Sequence, residues 1–498
     1  MPKCIWNIKS GVSDTARILS KEIGFSAVVT QVLMNRGLDS RDKVLSFIKP
    51  GLADLPDPML LTDMEKAANR LADAVQKGQC ICVYGDYDID GTTSIVTLLG
   101  FLRELKVNNV SYYQPSRSEQ GYGLHVQAIK EIMQRAVELL ITVDCGTTGF
   151  EAARFCRENN IDLIITDHHK VGTSLPDSYA FVNPHRDNDN NAFKVLAGVG
   201  VAYYLAIATR KVLRDRGFFT TDTGICEPKL KDFLDVVAFG TIADVVSLTG
   251  INRILVSHGL NIINTVNRMG FSALREVSGI KDKTINTETV GYILAPRLNA
   301  AGRMGSASKA VELLLASNEE EAKALARLMH EENQKRMGFQ NNAWTEVNTL
   351  IDELILSCGR LKFEKKRTLV FSSDKWHQGI IGIVAAKLSE KWFKPSAVYS
   401  IVGNGIARGS ARSIPGVDIF SIFSGFKDIF EDFGGHSAAA GMSIKVDRIP
   451  EFERLFEKAV LEISDLNTKA CLDVDLEVSI DDLGTKTVQE LSYLEPFG

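Results

Sequence analysis

No stretch of this chain is apolar for long enough to cross a bilayer, and its start, MPKCIWNIKSG, lacks a signal-peptide core. Neither a membrane-embedded nor an exported protein is expected. The eight cysteines (4, 80, 82, 145, 156, 226, 358 and 471) form no CxxC pair, and several sit inside apolar runs. That pattern predicts free, largely buried thiols in a reducing cytosol. Cys145, beside Asp144, reads as a small residue in a tight turn, because acidic neighbours raise a thiol pKa rather than activate it. An excess of positive charge is missing too: 57 basic residues face 62 acidic ones, a net charge of −5. A nucleic-acid partner would therefore need a local basic groove, which a mildly acidic protein can still carry. At 498 residues, 45% hydrophobic and 24% charged, the composition is that of a soluble globular protein too long for a single core.

What the chain does have is four short acidic or histidine-bearing segments: GDYDIDG (85–91), TVDCG (142–146), TDHH (166–169) and GTIADVV (240–246). Each is expected where a strand ends. The first three directly follow apolar, partly β-branched runs, CICVY, LLITV and DLIIT. Strand and helix patterns alternate between and beyond them, which predicts an α/β fold with a doubly wound parallel sheet. Loops at the carboxyl edge of such a sheet converge. Asp86, Asp88, Asp90, Asp144, Asp167, His168, His169 and Asp244 are thus expected at one place. So many carboxylates repel one another unless cations neutralise them, and hard oxygens with one or two imidazoles suit Mn²⁺ or Mg²⁺ better than zinc. Within GDYDIDG, an extended backbone would turn Asp86, Asp88 and Asp90 to one side. An EF-hand-like calcium loop is the competing reading, but TTSIVTLLG supplies none of its later ligands. These features point to a two-metal phosphoester hydrolase.

Residues 1–70 form an N-terminal segment, 71–265 the main sheet-bearing domain, and 266–355 a helical connection. The last includes the long run EEEAKALARLMHEENQKRMGFQNNAWTEVNTLIDELI (319–355), expected as one amphipathic helix joining two domains. A second, smaller α/β domain is expected over 356–465, and 466–498 begins another strand-bearing unit that stops abruptly, as in a truncated chain. Several segments hold candidate phosphate contacts. PSRSEQGYGL offers Arg117 and Tyr122, and PRLNAAGRMG offers Arg297 and Arg303 about a Gly-containing loop. ARGSARS carries Arg408, Ser410 and Arg412, and GGHSAAAG packs small residues around His436. Taken singly, each arginine is more often a surface salt-bridge partner, and GGHSAAAG a tight turn before a strand. Together, arginines and an exposed aromatic on loops suit a single-strand nucleic-acid path.

These motifs resemble the DHH phosphoesterase superfamily, with TDHH carrying its name and GGHSAAAG matching the glycine-rich motif of DHHA1 domains. GDYDIDG, EQGYGL, LAGVGVAYYL, PRLNAAGRMG, HQGIIGIVA and LEPFG resemble the RecJ branch in particular. The resemblance implies a 5′→3′ exonuclease on single-stranded DNA, serving recombination and repair, with a metal-dependent site in a cleft between DHH and DHHA1 domains. Carried across by motif, Asp88, Asp90, Asp144, His168 and Asp244 would hold two Mn²⁺ or Mg²⁺ ions, with Asp86 and His169 beside them. A water between the two ions would need no separate protein base. Arg117, Ser410 and Arg412 would take a terminal 5′-phosphate, Tyr122 would stack on a base, and His436 would lie on the phosphate side. The expected protein is a cytoplasmic monomer partnered by a single-strand-binding protein or a helicase. The resemblance also implies an OB-fold beyond LEPFG, of which the residues given are expected to hold only the start. A small-substrate DHH enzyme for short oligonucleotides, cyclic dinucleotides or pyrophosphate is the alternative. An inactive nucleic-acid-binding scaffold would show degraded metal motifs, and here every such position is filled.

Overall fold

The computed structural model describes residues 4–9, 11–116, 121–187, 189–221, 223–266, 268–304, 307–463 and 470–498. It divides into two compact units, residues 14–333 with 480–498, and residues 1–13 with 334–479. Strand β1 (Ile5–Ile8) belongs to the second of these. In the first, helix α1 (Met64–Lys77) buries Ala67, Leu71 and Ala74 and stops where Gly78 adopts φ +65°. Such a left-handed turn admits glycine without strain and ends a helix.

Five parallel strands follow: β2 (Ile81–Gly85), β3 (Val110–Tyr113), β4 (Leu139–Val143), β5 (Asp162–Thr166) and β6 (Ala180–Val182), ordered 3-2-4-5-6 across the sheet. β2 and β4 are buried along their whole length, as a sheet covered by helices on both faces requires. Helix α2 (Ile89–Glu104) connects β2 to β3; the chain then crosses β2 to build the other half of the sheet from β4. The reversal of strand order lies between β2 and β4, which is where open α/β sheets bind their ligands. Register sharpens this: Gly85 pairs with Val143 and Val143 with Thr166. Asp86, Asp144 and Asp167 therefore leave three neighbouring strands at one level.

One face of the sheet carries helices α3 (Gly198–Asp215), α4 (Leu234–Ala243) and α5 (Gly250–Thr265), packed in one core with α1 and α2. α4 contradicts the expectation that GTIADVV ends a strand. All ten residues of LDVVAFGTIA are helical and buried nearly all round, with Asp244 as the C-cap. An apolar run buried on every side has no period that separates helix from strand. PRLNAAGRMG is likewise no loop: helix α6 (Ala295–Met304) carries both arginines, behind a π-helical stretch over Thr289–Leu294.

Helix α7 (Glu319–Cys358) is 40 residues long; it packs within the first unit up to Asn333 and within the second from Gln334. The second unit holds a mixed sheet of β7 (Leu369–Ser373), β8 (Ser396–Gly403), β9 (Ile406–Arg412), β10 (Phe430–His436) and β11 (Ala439–Lys445), ordered 10-11-9-8-7. Helix α8 (Ile381–Trp392) links β7 to β8. GGHSAAAG forms the end of the β10–β11 hairpin, where Gly435 at φ +146° sits so close to Ala439 that no side chain would fit. β12 (Cys471–Val474) pairs in parallel with β1. Every cysteine is free, and no described helix is long and apolar enough to cross a membrane.

Candidate metal centre

Asp88 does not lie on an extended strand, as alternation had suggested. Its carboxylate caps α2 by accepting the Gly91 N–H at 3.0 Å, so the helix begins at Ile89 and Asp90 sits in its first turn. Gly91 is obligatory here, since a Cβ would lie 2.4 Å from the Asp86 carbonyl oxygen. Gln114, just past β3, clamps the same loop by donating to the Asp86 carbonyl at 2.7 Å and to Thr92 Oγ1 at 2.9 Å. The close packing turns Asp86, Asp88 and Asp90 into one turn around the end of β2.

Asp90 is almost fully buried and accepts two backbone N–H groups at the start of α3, from Gly198 at 2.6 Å and Val199 at 2.8 Å. The positive end of a long helix thus offsets its charge. Asp144 leaves β4 at φ +59°, a left-handed conformation that aspartate tolerates better than most side chains. Asp167 is fully buried and accepts from the N–H groups of Thr147, His168 and His169. It also meets His169 Nδ1 at 2.7 Å, which places the proton on that nitrogen and leaves Nε2 for other partners. Asp167 is thus a buried holder of the two histidines.

The remaining side chains converge. His168 Nε2 lies 3.1 Å from Asp144 Oδ1, 3.6 Å from Asp90 Oδ2 and 3.7 Å from Asp244 Oδ2. Donor atoms of Asp86, Asp88 and Asp144 lie within 4.8 Å of one another, as do those of Asp90, His168 and Asp244, and those of Asp144, His168 and His169. Three overlapping ligand sets result, two of them sharing Asp144 and two sharing His168. Asp144 Oδ1 and Asp244 Oδ2 are buried without a hydrogen-bond donor. Burial, reinforced by the charges of Asp90 and Asp88, pushes the Asp144 and Asp244 carboxyls up, the latter to about 9. Burial raises Asp90 as well, partly eased by His168. Burial alone would depress His169, but the Asp167 bond outweighs it and raises the imidazole to about 9. The same bond holds Asp167 below the usual carboxylate range in spite of its burial. Orphaned oxygens, mutually repelling carboxylates and no sulfur in the set fit hard divalent cations.

These shifts set a pH dependence for the metal-free chain. Asp90, Asp144 and Asp244 ionise less readily folded than unfolded, so their contribution to stability is lost as pH rises above the ordinary carboxylate range. His169 favours folding while protonated, and that too is lost as pH rises toward about 9. Asp167, being depressed, loses its contribution only in acid. Mn²⁺ should therefore raise the melting temperature more at about pH 8 than at about pH 5.5. Thermal melts with and without Mn²⁺ check this; equal shifts at both pH values would contradict it.

Of the other candidates, Tyr122 is 42% exposed, with its ring 5.2 Å from the His169 ring and its hydroxyl 3.0 Å from His169 Nδ1. The buried Tyr84 hydroxyl holds its loop by donating to the Gly123 carbonyl. Arg117 lies outside the described residues. Arg297 is half-buried and donates to His330 Nδ1 and to the Ile293 carbonyl, and Arg303 is half-buried near the end of α6. Gly302 backs directly onto the Tyr87 carbonyl, so α6 touches the Asp86–Asp88 loop. In the second unit, Arg412 donates to Ser410 Oγ at 3.0 Å, and Gly382 in the first turn of α8 lies against both. His436 pairs with Ala439 and Ala439 with Arg412, so the exposed His436 shares that end of the sheet. Gly198, Val199, Gln114 and Thr147 were not singled out from the sequence. LAGVGVAYYL contains the first two, but the sequence marks it only as a segment carrying the family resemblance.

Two family models match the chain, the DHH family N-terminal domain over residues 80–241 and the DHHA1 domain over residues 365–462. The single-stranded-DNA-specific exonuclease RecJ of Bacillus subtilis is 35% identical over the whole of this chain, which spans 60% of that relative's length. The Haemophilus influenzae and Escherichia coli proteins of the same name are 35% and 37% identical, over 90% and 81% of this chain and 78% and 70% of theirs. Among solved structures, Thermus thermophilus RecJ in complex with Mn²⁺ superposes with a TM-score of 0.82 at 28% identity, covering 99% of this chain and 68% of the other. A manganese-bound exonuclease RecJ gives 0.69 at 31% identity, over 83% and 97%.

Proposed function

This chain belongs to the RecJ family, and we propose that it is a metal-dependent 5′→3′ exonuclease specific for single-stranded DNA, acting in recombination and repair. The convergence of five carboxylates and two imidazoles at the switch point of the sheet supports this reading most directly. Asp88, Asp90, Asp144, His168 and Asp244 would hold two Mn²⁺ or Mg²⁺ ions, with Asp86 and His169 beside them. Bound there, the ions would supply Lewis acidity toward the scissile phosphodiester and a hydroxide at neutral pH. The protein's part is to hold the ligands. The α3 N-terminus fixes Asp90, Asp167 fixes both histidines, and Gln114 fixes the Asp86 turn. With Nδ1 held by Asp167, Nε2 is the His169 nitrogen that would donate to a phosphate oxygen. No side chain is assigned as the base.

Arg117, Ser410 and Arg412 are proposed to take the terminal 5′-phosphate, His436 to lie on the phosphate side, Tyr122 to stack on a base, and Arg297 and Arg303 to line the strand's path. The chain would work as a cytoplasmic monomer, with a single-strand-binding protein or a helicase as partner.

The experiment is degradation of 5′-labelled single-stranded DNA by the full chain in Mn²⁺, against a blunt duplex and a dinucleotide. Labelled mononucleotide should appear from the single strand, should fall with added salt, and should be nearly absent from the blunt duplex. Cleavage confined to the dinucleotide, or equal rates on blunt duplex and single strand, would overturn the reading. Arg412→Ala should slow cleavage of 5′-phosphorylated strands more than of 5′-hydroxyl strands. A charge-assisted bond is worth roughly 1.5–3 kcal/mol, so about tenfold or more in selectivity should disappear. Equal slowing of both would make Arg412 a structural residue.

A further inference from the structure

Asn252, in the first turn of α5, is fully buried, and its side-chain amide donates to two backbone carbonyls, those of Val195 and Ser247. Both partners are acceptors only, so the NH₂ group must face them. Val195 lies three positions before Gly198, whose N–H holds Asp90; Ser247 lies three positions after Asp244. One side chain therefore ties together the segment that cradles one carboxylate and the loop that carries another.

Those carboxylates need such a tie. Asp90 and Asp244 both approach His168 Nε2, at 3.6 and 3.7 Å, and their charges oppose each other. Asp244 ends a helix, and Val245 after it is 87% exposed at φ +61°, so the loop turns outward into solvent at once. A β-branched residue in that conformation is strained and relaxes unless its surroundings hold it. Buried Leu248 and the Asn252–Ser247 bond anchor the loop's far end. Asn252 Oδ1 is itself buried without a donor. An aliphatic side chain would avoid that loss, so the residue's contribution lies in its two N–H bonds.

We propose that Asn252 is a positioning residue that sets the separation of Asp90 and Asp244, and so the affinity of the Asp90–His168–Asp244 position for a divalent cation. This rests on the two-cation reading given above. Removing the amide takes away the donor to two carbonyls at part-buried positions and frees both segments to move apart. Residues that orient metal ligands without touching the metal typically change its affinity by about 10- to 100-fold.

The test is Mn²⁺ binding to the full chain by calorimetry and by electron paramagnetic resonance, neither of which depends on turnover. Asn252→Ala should weaken one of two Mn²⁺ equivalents by about 10-fold or more, with most of kcat restored at saturating Mn²⁺. Leu255→Ala, which removes a buried side chain of the same helix and no bond to either loop, should lower the melting temperature and leave both affinities unchanged. Unchanged Mn²⁺ binding in Asn252→Ala, or equal weakening in Leu255→Ala, overturns the proposal. If Asn252→Ala does not fold, Asn252→Ser, which keeps one donor, should bind Mn²⁺ with intermediate affinity; wild-type affinity there overturns it as well. Failure of the two-cation reading shows separately, as absence of Mn²⁺ binding in the unmodified chain.

Discussion

Asp144→Asn is expected to abolish turnover while leaving the metal-free chain at least as stable as its parent. Asp144 belongs to two of the three ligand sets, and its Oδ1 is buried without a hydrogen-bond donor. Replacing a carboxylate oxygen by an amide removes the charge that would hold the cations. Metal ions contribute several kcal/mol of transition-state stabilisation, and each 1.36 kcal/mol is tenfold in rate, so a fall of at least about 10³-fold is expected. Stability should move the other way. Burial and the charges of Asp90, Asp88, Asp86 and Asp244 all oppose ionisation of Asp144, so a neutral isostere relieves repulsion. Asparagine is preferable to alanine because the residue sits at φ +59°, where an ordinary L-residue is strained by about 1–2 kcal/mol and asparagine is tolerated. Single-turnover rates in saturating Mn²⁺, with melts in EDTA, check both halves. A rate within tenfold of the parent's would remove Asp144 from the centre, and a clear drop in the metal-free melting temperature would show that its charge is satisfied within the protein.

The parts of this site legible from sequence are those in which local pattern and chemistry agree. CICVY, LLITV and DLIIT are continuous apolar runs ended by acidic residues, and strands β2, β4 and β5 lie where those runs stand. Parallel register then places Asp86, Asp144 and Asp167 side by side without further information. Asp244 was harder, because FGTIADVV is as apolar as a strand; its helix is dictated by packing against α2, α3 and α5. The helical start at Ile89 also escaped alternation, since the Asp88 cap competes with extension and wins once Gly91 packs on Asp86. Least legible were the holders. Gly198 meets Asp90 across 108 positions and Asn252 meets Val195 across 57, and no periodicity encodes such distances. The two arginines of PRLNAAGRMG were read onto a loop because of Gly302. In the fold that glycine is what lets a helix approach the Tyr87 carbonyl.

The same reasoning makes Gly198→Ala the second change with a large expected effect. No left-handed conformation requires glycine there; the requirement is space. A Cβ at Gly198 would lie 2.6 Å from the Asp144 Cβ, and 2.9 Å from both Asp144 Oδ1 and Asp90 Oδ2. None of these atoms is the end of a long flexible chain, so the start of α3 must move outward. That shift lengthens the N–H bonds from Gly198 and Val199 to Asp90 and lets the two carboxylates separate. Overpacking of this kind destabilises by roughly 1–3 kcal/mol. Misplacing reactive groups by about 1 Å can reduce the rate by about 10²-fold, so nuclease activity should fall at least that far and Mn²⁺ should bind more weakly. Gly338 provides the contrast. It lies in the interior of α7 with nothing within 4 Å of a Cβ. Alanine there should stabilise by about 0.5–1 kcal/mol through helix propensity alone, with activity unchanged. Parallel melts, Mn²⁺ titrations and rates on single-stranded DNA separate the two. Parental activity in Gly198→Ala would mean that the α3 terminus yields freely, and that Asp90 does not depend on it for its place among the other carboxylates.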